Sequence, residues 1–149
     1  MKRPTNPREF LTPAESDRVN AAIKNAERDT SAEIKLVVAR HCWSDIKNKA
    51  SGIFKKLGLD KTKEHNGVLI LFIVTNREFL VYGDQGIHEK VGQDFWNDIR
   101  DRMSADFHEG RFADGICDGI ELIGKKLAEY FPHKRGDINE IADEIVYER

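Results

Sequence analysis

No apolar run in this sequence approaches the roughly 20 residues that a bilayer-spanning helix needs. The longest, residues 68–74 (VLILFIV), lies between Gly67 and Thr75 and has the length of a buried strand. Residues 1–11 carry Lys2, Arg3 and Arg8 but no apolar centre, so no secretory signal is read there and no membrane partner is expected. Cysteine is scarce: Cys42 and Cys117 are the only two and show no CxxC spacing. The expectation is a pair of reduced thiols in a cytoplasmic protein. An excess of one charge is missing as well, since acids and bases are interspersed and leave a net charge of −2. Without a basic face or stripe, nucleic acid is not an expected partner.

Repeats, linkers and low-complexity segments are absent too. The 149 residues are therefore read as one domain, with a core over about residues 10–132 and an acidic tail, residues 133–149, partly docked on it. With 40% apolar and 34% charged residues, the composition suits a folded domain with a well-solvated surface.

Local signals order the chain. Thr12-Pro13-Ala14-Glu15 opens a helix, with Thr12 as cap, Pro13 at the first helical position and Glu15 completing a capping box. Val19, Ala22, Ile23 and Ala26 form its apolar stripe, and it ends near Asp29-Thr30. Residues 34–39 (IKLVVA) predict a strand covered on both faces. Ser44 or Asp45 opens a second helix on Ile46, Ala50, Ile53, Phe54 and Leu57, which Gly58 ends. Residues 59–66 read as a polar connection. A central strand over 67–75 turns at Asn76-Arg77 into the hairpin arm 78–82, and 83–86 reads as a loop.

Two helices follow. One runs over about 91–109 on Phe95, Ile99, Met103 and Phe107; the other runs over about 112–130 and is stopped by Pro132. The glycines Gly115, Gly119 and Gly124 are read as allowing close helix packing. In the tail, Ile138, Ile141, Ile145 and Val146 suggest docking. A strand–helix–strand unit implies parallel pairing and the hairpin adds an antiparallel neighbour. The expected architecture is a three-layer α/β/α sandwich around a mixed sheet.

Several stretches together resemble the TPM-domain family. They are Thr30-Ser31-Ala32-Glu33-Ile34, Asn66-Gly67-Val68-Leu69-Ile70, Gly83-Asp84-Gln85-Gly86-Ile87, and Phe107-His108-Glu109-Gly110-Arg111-Phe112 with Gly115 and Gly119 behind it. The tail, with Asp137-Ile138-Asn139-Glu140-Ile141 and then Asp143-Glu144-Ile145, is similar to the ending of the short, anchor-free bacterial members. The resemblance covers about residues 10–147. It implies an α/β/α sandwich, divalent-cation binding as in several members, and the phosphatase-like or nucleotide-hydrolysing activity claimed for some.

Topology supplies an independent pointer. Glu33 stands at the N-terminal end of the first strand and Asn66 just before that of the second. If the two are parallel and the hairpin arm runs back, Asp84 reaches the same rim of the sheet. The start of the next helix, whose free amides favour anions, is delivered beside it. Oxygen donors of this kind suit Ca2+ or Mg2+. Glu33 and Asp84 are the candidate ligands, and Asp137, Glu140 and Asp143 of the tail could add to them. Asn66 and the neighbouring His65 are candidates for contacting a phosphorylated small molecule or nucleotide.

Other chemistries find little support. Residues 83–86 lack the spacing of a phosphate-cradling P-loop, and no EF-hand loop, HxxxH or HExxH spacing occurs. His41 and Cys42, read as strand neighbours, would face opposite ways, Cys117 falls in a helical pattern, and no GxSxG elbow is present. Asp114 and Asp118 are read as solvated, and Trp43 and Trp96 as packing residues. Hydrolysis would then rely on metal-activated water. The expected function is a divalent-metal-binding, phosphatase-like or nucleotide-phosphohydrolase domain; the alternative is a non-catalytic cation- or protein-binding module.

Overall fold

The computed structural model describes residues 3–133 and 145–148. Its elements are α1 (Pro7–Phe10), α2 (Pro13–Arg28), β1 (Glu33–Ala39), α3 (Ile46–Lys56), β2 (Gly67–Ile73), β3 (Glu78–Gly83), α4 (Gln85–His108), α5 (Phe112–Tyr130) and β4 (Val146–Glu148). A 3-10 turn, Leu59–Lys61, lies between α3 and β2. The helix starts follow their local chemistry. Thr12 and Glu15 form the expected capping box on α2, and the Asp45 carboxylate accepts from the Lys47 amide at the start of α3.

The sheet has the order β3-β2-β1-β4. β1 and β2 are parallel, with Glu33 opposite Gly67 and Ala39 opposite Ile73. β3 returns antiparallel to β2, and β4 lies parallel to β1 on its other side. Both β1 and β2 are buried along their full length. Side chains alternate between the faces, as a pleat requires. Ile34, Leu36, Val38, Val68, Ile70 and Phe72 meet α2, α4 and α5, whereas Val37, Ala39, Leu69, Leu71 and Ile73 meet Ala50, Ile53 and Phe54 of α3. Helices cover both faces of a mixed sheet: this is the three-layer sandwich. The end of the tail docks, with Ile145 buried and β4 paired to β1; Ile138 and Ile141 lie outside the described residues.

Several local expectations need correction. Residues 59–66 are not a simple polar connection: the chain folds back after α3 and buries Leu59, Thr62 and Asn66. The hairpin loop is four residues, not two. Ile73 pairs with Glu78, while the amides of Val74 and Thr75 leave β3 and donate to the carbonyls of Ala39, at the end of β1, and Arg40 just past it. Residues 83–86 are not a loop, because Gly83 ends β3, Asp84 caps, and α4 begins at Gln85. The expected start near 91 marks a break instead, at Gly92 (φ 74°, ψ 171°). His41 and Cys42 lie beyond β1 and not in it; the His41 ring stacks on Trp43 at 4.9 Å, and the Cys42 thiol donates to the Ser44 carbonyl. Trp96 packs in the core, but Trp43 is 91% exposed.

Candidate functional site

The strand register puts three of the sequence candidates on one rim. Glu33 opens β1 opposite Gly67, Asn66 immediately precedes β2, and the amide of Asp84, just past β3, donates to the Gly67 carbonyl at 2.9 Å. Two glycines make this rim compact. A Cβ on Gly67 would lie 2.6 Å from the Leu59 carbonyl oxygen, so the 3-10 turn sits directly on β2 there. A Cβ on Gly86 would lie 2.5 Å from the Glu64 carbonyl oxygen and 2.6 Å from that of His65. The first turn of α4 is thereby pressed against the segment that carries His65.

The rim candidates then separate into two groups. Asn66 is buried; its amide donates to the Thr62 hydroxyl at 3.1 Å, and its side-chain amide donates to the Ser31 hydroxyl at 3.2 Å. Ser31 in turn donates to the Glu64 carboxylate at 2.5 Å. Asn66 thus ties the approaches to β1 and β2 together. Glu33 is also buried and has interactions of its own. The pleat directs it to the α3 face, where Leu59 lies over Gly67, its partner on β2.

Asp84 faces a different space. Its Oδ1 accepts from the Gln85 amide at 2.8 Å and so caps α4. Its Oδ2 is inaccessible to solvent and has no hydrogen-bond partner. The nearest basic group is His65 Nδ1, 3.7 Å away, too far for a hydrogen bond. His65 itself is exposed and held at φ 51°, in the left-handed region that non-glycine residues rarely occupy. Capping does not make α4 a long dipole aimed at the rim, because the break at Gly92 leaves residues 85–91 as a piece of about two turns.

Asp84 lines a cavity of about 450 Å³ between α3 and the β3–α4 corner. Lys47, Ser51, Phe54 and Lys55 form the α3 wall, Tyr82, Gln85 and His88 stand with Asp84, and Asp60 of the 3-10 turn completes the lining. Asp60 repeats the feature of Asp84: its Oδ1 is buried and has no hydrogen-bond partner. Sequence reasoning missed Asp60 because it sits in the stretch read as a polar connection. Neither Glu33 nor Asn66 lines this cavity. Asp137, Glu140 and Asp143 lie outside the described residues. Among the described residues, no group of three or more His, Cys, Asp or Glu side chains forms a metal cluster. A cation here would take two carboxylates from the lining and complete its shell with other oxygens.

The remaining candidates sit elsewhere. Asp114 pairs with Arg18 at the surface, at 2.8 Å. Asp118 is half-buried and not simply solvated: burial, followed by its hydrogen bond to the Asp106 carboxyl, pushes its pKa up. Burial likewise raises the Cys117 thiol, leaving it a packing group and not a nucleophile. No described helix is long and apolar enough to cross a membrane.

The profile of the TPM domain matches residues 5–126. Among solved structures, the chain is similar to the BA42 protein of the psychrophilic bacterium Bizionia argentinensis. That likeness has 40% identity, a TM-score of 0.88, and coverage of 93% of this chain and 96% of that one. The N-terminal domain of a P. gingivalis protein shares the fold, with a TM-score of 0.68, 19% identity, and 83% of this chain and 82% of that one covered. No curated protein matches the chain. Taken with the mixed sheet and its two helical layers, the match over most of its length makes the chain a member of the TPM-domain family.

Proposed function

We propose that the cavity between α3 and the β3–α4 corner holds a divalent cation, Mg2+ or Ca2+, and that the chain is a phosphohydrolase acting there on a phosphorylated small molecule or nucleotide. The observation that carries this reading is that Asp84 and Asp60, each with one buried carboxylate oxygen lacking a hydrogen-bond partner (Oδ2 and Oδ1), line one cavity. A buried acceptor left unpaired costs about 1–3 kcal/mol, and more when charged, so two around one space favour a ligand that satisfies both. Carboxylate oxygens suit a hard cation.

The bound ion would supply charge neutralisation at the phosphate oxygens. Asp84 would keep one oxygen on the α4 amide and offer the other to the cavity, which fixes its orientation. Asp60 would approach from the 3-10 turn. His65 and His88 border the site as candidates for proton transfer or contact with the phosphorylated compound. Asn66 acts through structure in this reading, holding the turn that carries His65.

Thermal melts with and without Mg2+ or Ca2+ test the cation site, since a ligand of the native state alone raises the midpoint. The wild type is expected to shift upward, and Asp84→Asn and Asp60→Asn to lose most of the shift. Phosphate release from p-nitrophenyl phosphate and ATP, compared between wild type and Asp84→Ala, tests the chemistry. Equal rates would remove Asp84 from it.

A second reading comes from the other oxygen of Asp84. Because Oδ1 caps α4, an ion on Oδ2 would fasten the β3–α4 corner, and the chain would be a non-catalytic cation- or protein-binding module. Stabilisation by cation without phosphate release identifies that case.

A further inference from the structure

The α3 wall of the cavity carries charge of the opposite sign to its carboxylates. Lys47, Ser51 and Lys55 follow one another at intervals of four, which on a helix stacks them along one side about 6 Å apart. All three line the cavity, and Phe54 beside them meets the Tyr82 ring at 5.0 Å, closing its base. Lys47 and Lys55 make no ion pair among the described residues, although the similar α3 lysine Lys49 is taken up by Glu148 at 2.8 Å. Two exposed lysines flanking a hydroxyl thus line the same cavity as Asp60 and Asp84, each of which has one buried carboxylate oxygen without a hydrogen-bond partner.

We infer that Lys47, Ser51 and Lys55 form the seat of a dianionic terminal phosphate, with Lys47 and Lys55 as the residues that set the preference for phosphorylated small molecules. The inference rests on the proposed cation site only for turnover; binding of phosphate to the row is a property of α3. Each lysine reaches inward from one end of the row, and Ser51 donates at its middle. The lysine stems are long enough to converge from positions about 12 Å apart along the axis. A dianion matches the two positive charges, and charge-assisted hydrogen bonds give such a contact roughly twice the strength of neutral ones. On the carboxylate wall, an anion alone would be repelled by Asp84 and Asp60. The α3 side is thus where the phosphate sits, and the opposing carboxylates are where its counter-cation belongs. The volume of about 450 Å³ lies within the usual range for small-molecule sites.

The test uses the full chain and two probes. Inorganic phosphate is titrated with a chelator present, so that no cation takes part, and backbone amide shifts are followed by NMR. The expected result is a saturable change centred on Lys47, Ser51 and Lys55, weakened about tenfold or more in Lys47→Gln/Lys55→Gln and largely restored in Lys47→Arg/Lys55→Arg. With Mg2+ added, p-nitrophenyl phosphate hydrolysis by the Gln variant is expected to show KM raised about tenfold with kcat within about twofold, the mark of lost binding. Asp84→Asn is the complementary arm: it should lose the Mg2+-dependent rise in melting midpoint and keep the phosphate shifts. Phosphate shifts that are absent, that fall elsewhere on the chain, or that persist unchanged in the Gln variant overturn the assignment. Intact phosphate shifts without any Mg2+ stabilisation overturn the cation reading alone and leave the phosphate seat standing.

Discussion

One face of the sheet is closed by α2, α4 and α5, with Phe72 at the centre of a ring cluster formed with Phe10, Phe107 and Phe112 at 5.1–5.7 Å. The other is covered by α3 and the 3-10 turn, and its smaller apolar cluster gives way at one corner to the cavity lined by Lys47, Lys55, Asp60 and Asp84. The strands between are the same, and pleating alone divides their residues. The contrast teaches that burial is concentrated where three helices meet, while the face with one helix leaves room for a cavity bordered by charged residues. The larger apolar core and the cavity thereby lie on opposite sides of one sheet.

The sharpest way to break this comparison is to remove one large side chain from each face. Phe72→Ala is expected to cost about 4 kcal/mol and Phe54→Ala about 2 kcal/mol, because the second site borders a cavity and can relax. Urea unfolding with unchanged m-values would read the difference, and equal losses would show the faces to be energetically alike. Next in size is Gly67→Ala, expected to cost about 2 kcal/mol, because the new Cβ meets the Leu59 backbone carbonyl at 2.6 Å and that atom cannot swing aside. A stabilised variant, the usual result of replacing a strand glycine without strain, would disprove the close approach of the 3-10 turn.

The third prediction concerns the entry to the thick face, where Arg3 lies over the Phe10 and Phe112 rings and pairs with Glu15 through two contacts of 2.5 and 2.8 Å. The Arg3 hydrogen bond, against an opposing effect of burial and with help from the Thr12 amide, lowers the Glu15 pKa to about 2. A depressed carboxylate stabilises the fold above its unfolded value and loses that contribution as pH falls toward about 2. Glu15→Gln should cost about 1–2 kcal/mol at neutral pH and flatten the acid limb of stability between about pH 4.5 and 2.

The smallest effect is of opposite sign. Asp118 has its pKa raised, so its ionisation destabilises the fold; the effect is absent below the ordinary carboxylate range and complete once pH passes the raised value. Asp118→Asn should therefore stabilise the protein by about 0.5 kcal/mol at pH 7 and by nothing measurable at the acid end, read as a difference in melting midpoint.

Much of this frame was legible because its signals are local and concordant. The Thr12–Glu15 box, the unbroken apolar strands and the Phe112–Tyr130 stripe each specify an element without reference to the rest. The shared rim of Glu33, Asn66 and Asp84 followed from strand order and direction alone. What could not be read was which way side chains turn once they arrive. The seating of Leu59 on Gly67 is one such feature, since a contact between a backbone carbonyl and a missing Cβ leaves no pattern in the sequence. Asp60 was hidden because residues 59–66 carry no apolar periodicity and read as a polar connection. The early start of α4 did leave a signal, since aspartate is a favoured N-cap, but Gly83 and Gly86 read more strongly as loop residues. The Lys47, Ser51 and Lys55 spacing was visible too, yet helix lysines usually mean a solvated face.

β4 joins the sheet beside β1 from a position more than a hundred residues downstream in the chain. During synthesis on the ribosome, β1 and β2 can pair and collect their helices while the outer edge of β1 still offers open amides and carbonyls to any neighbouring nascent chain. Val146–Glu148 then pair with Val37–Ala39 of that edge, and Glu148 clasps Lys49 across the α3 side. The sheet thus presents at this side an edge strand of only three residues, and very short edge strands are poor templates for pairing with another chain.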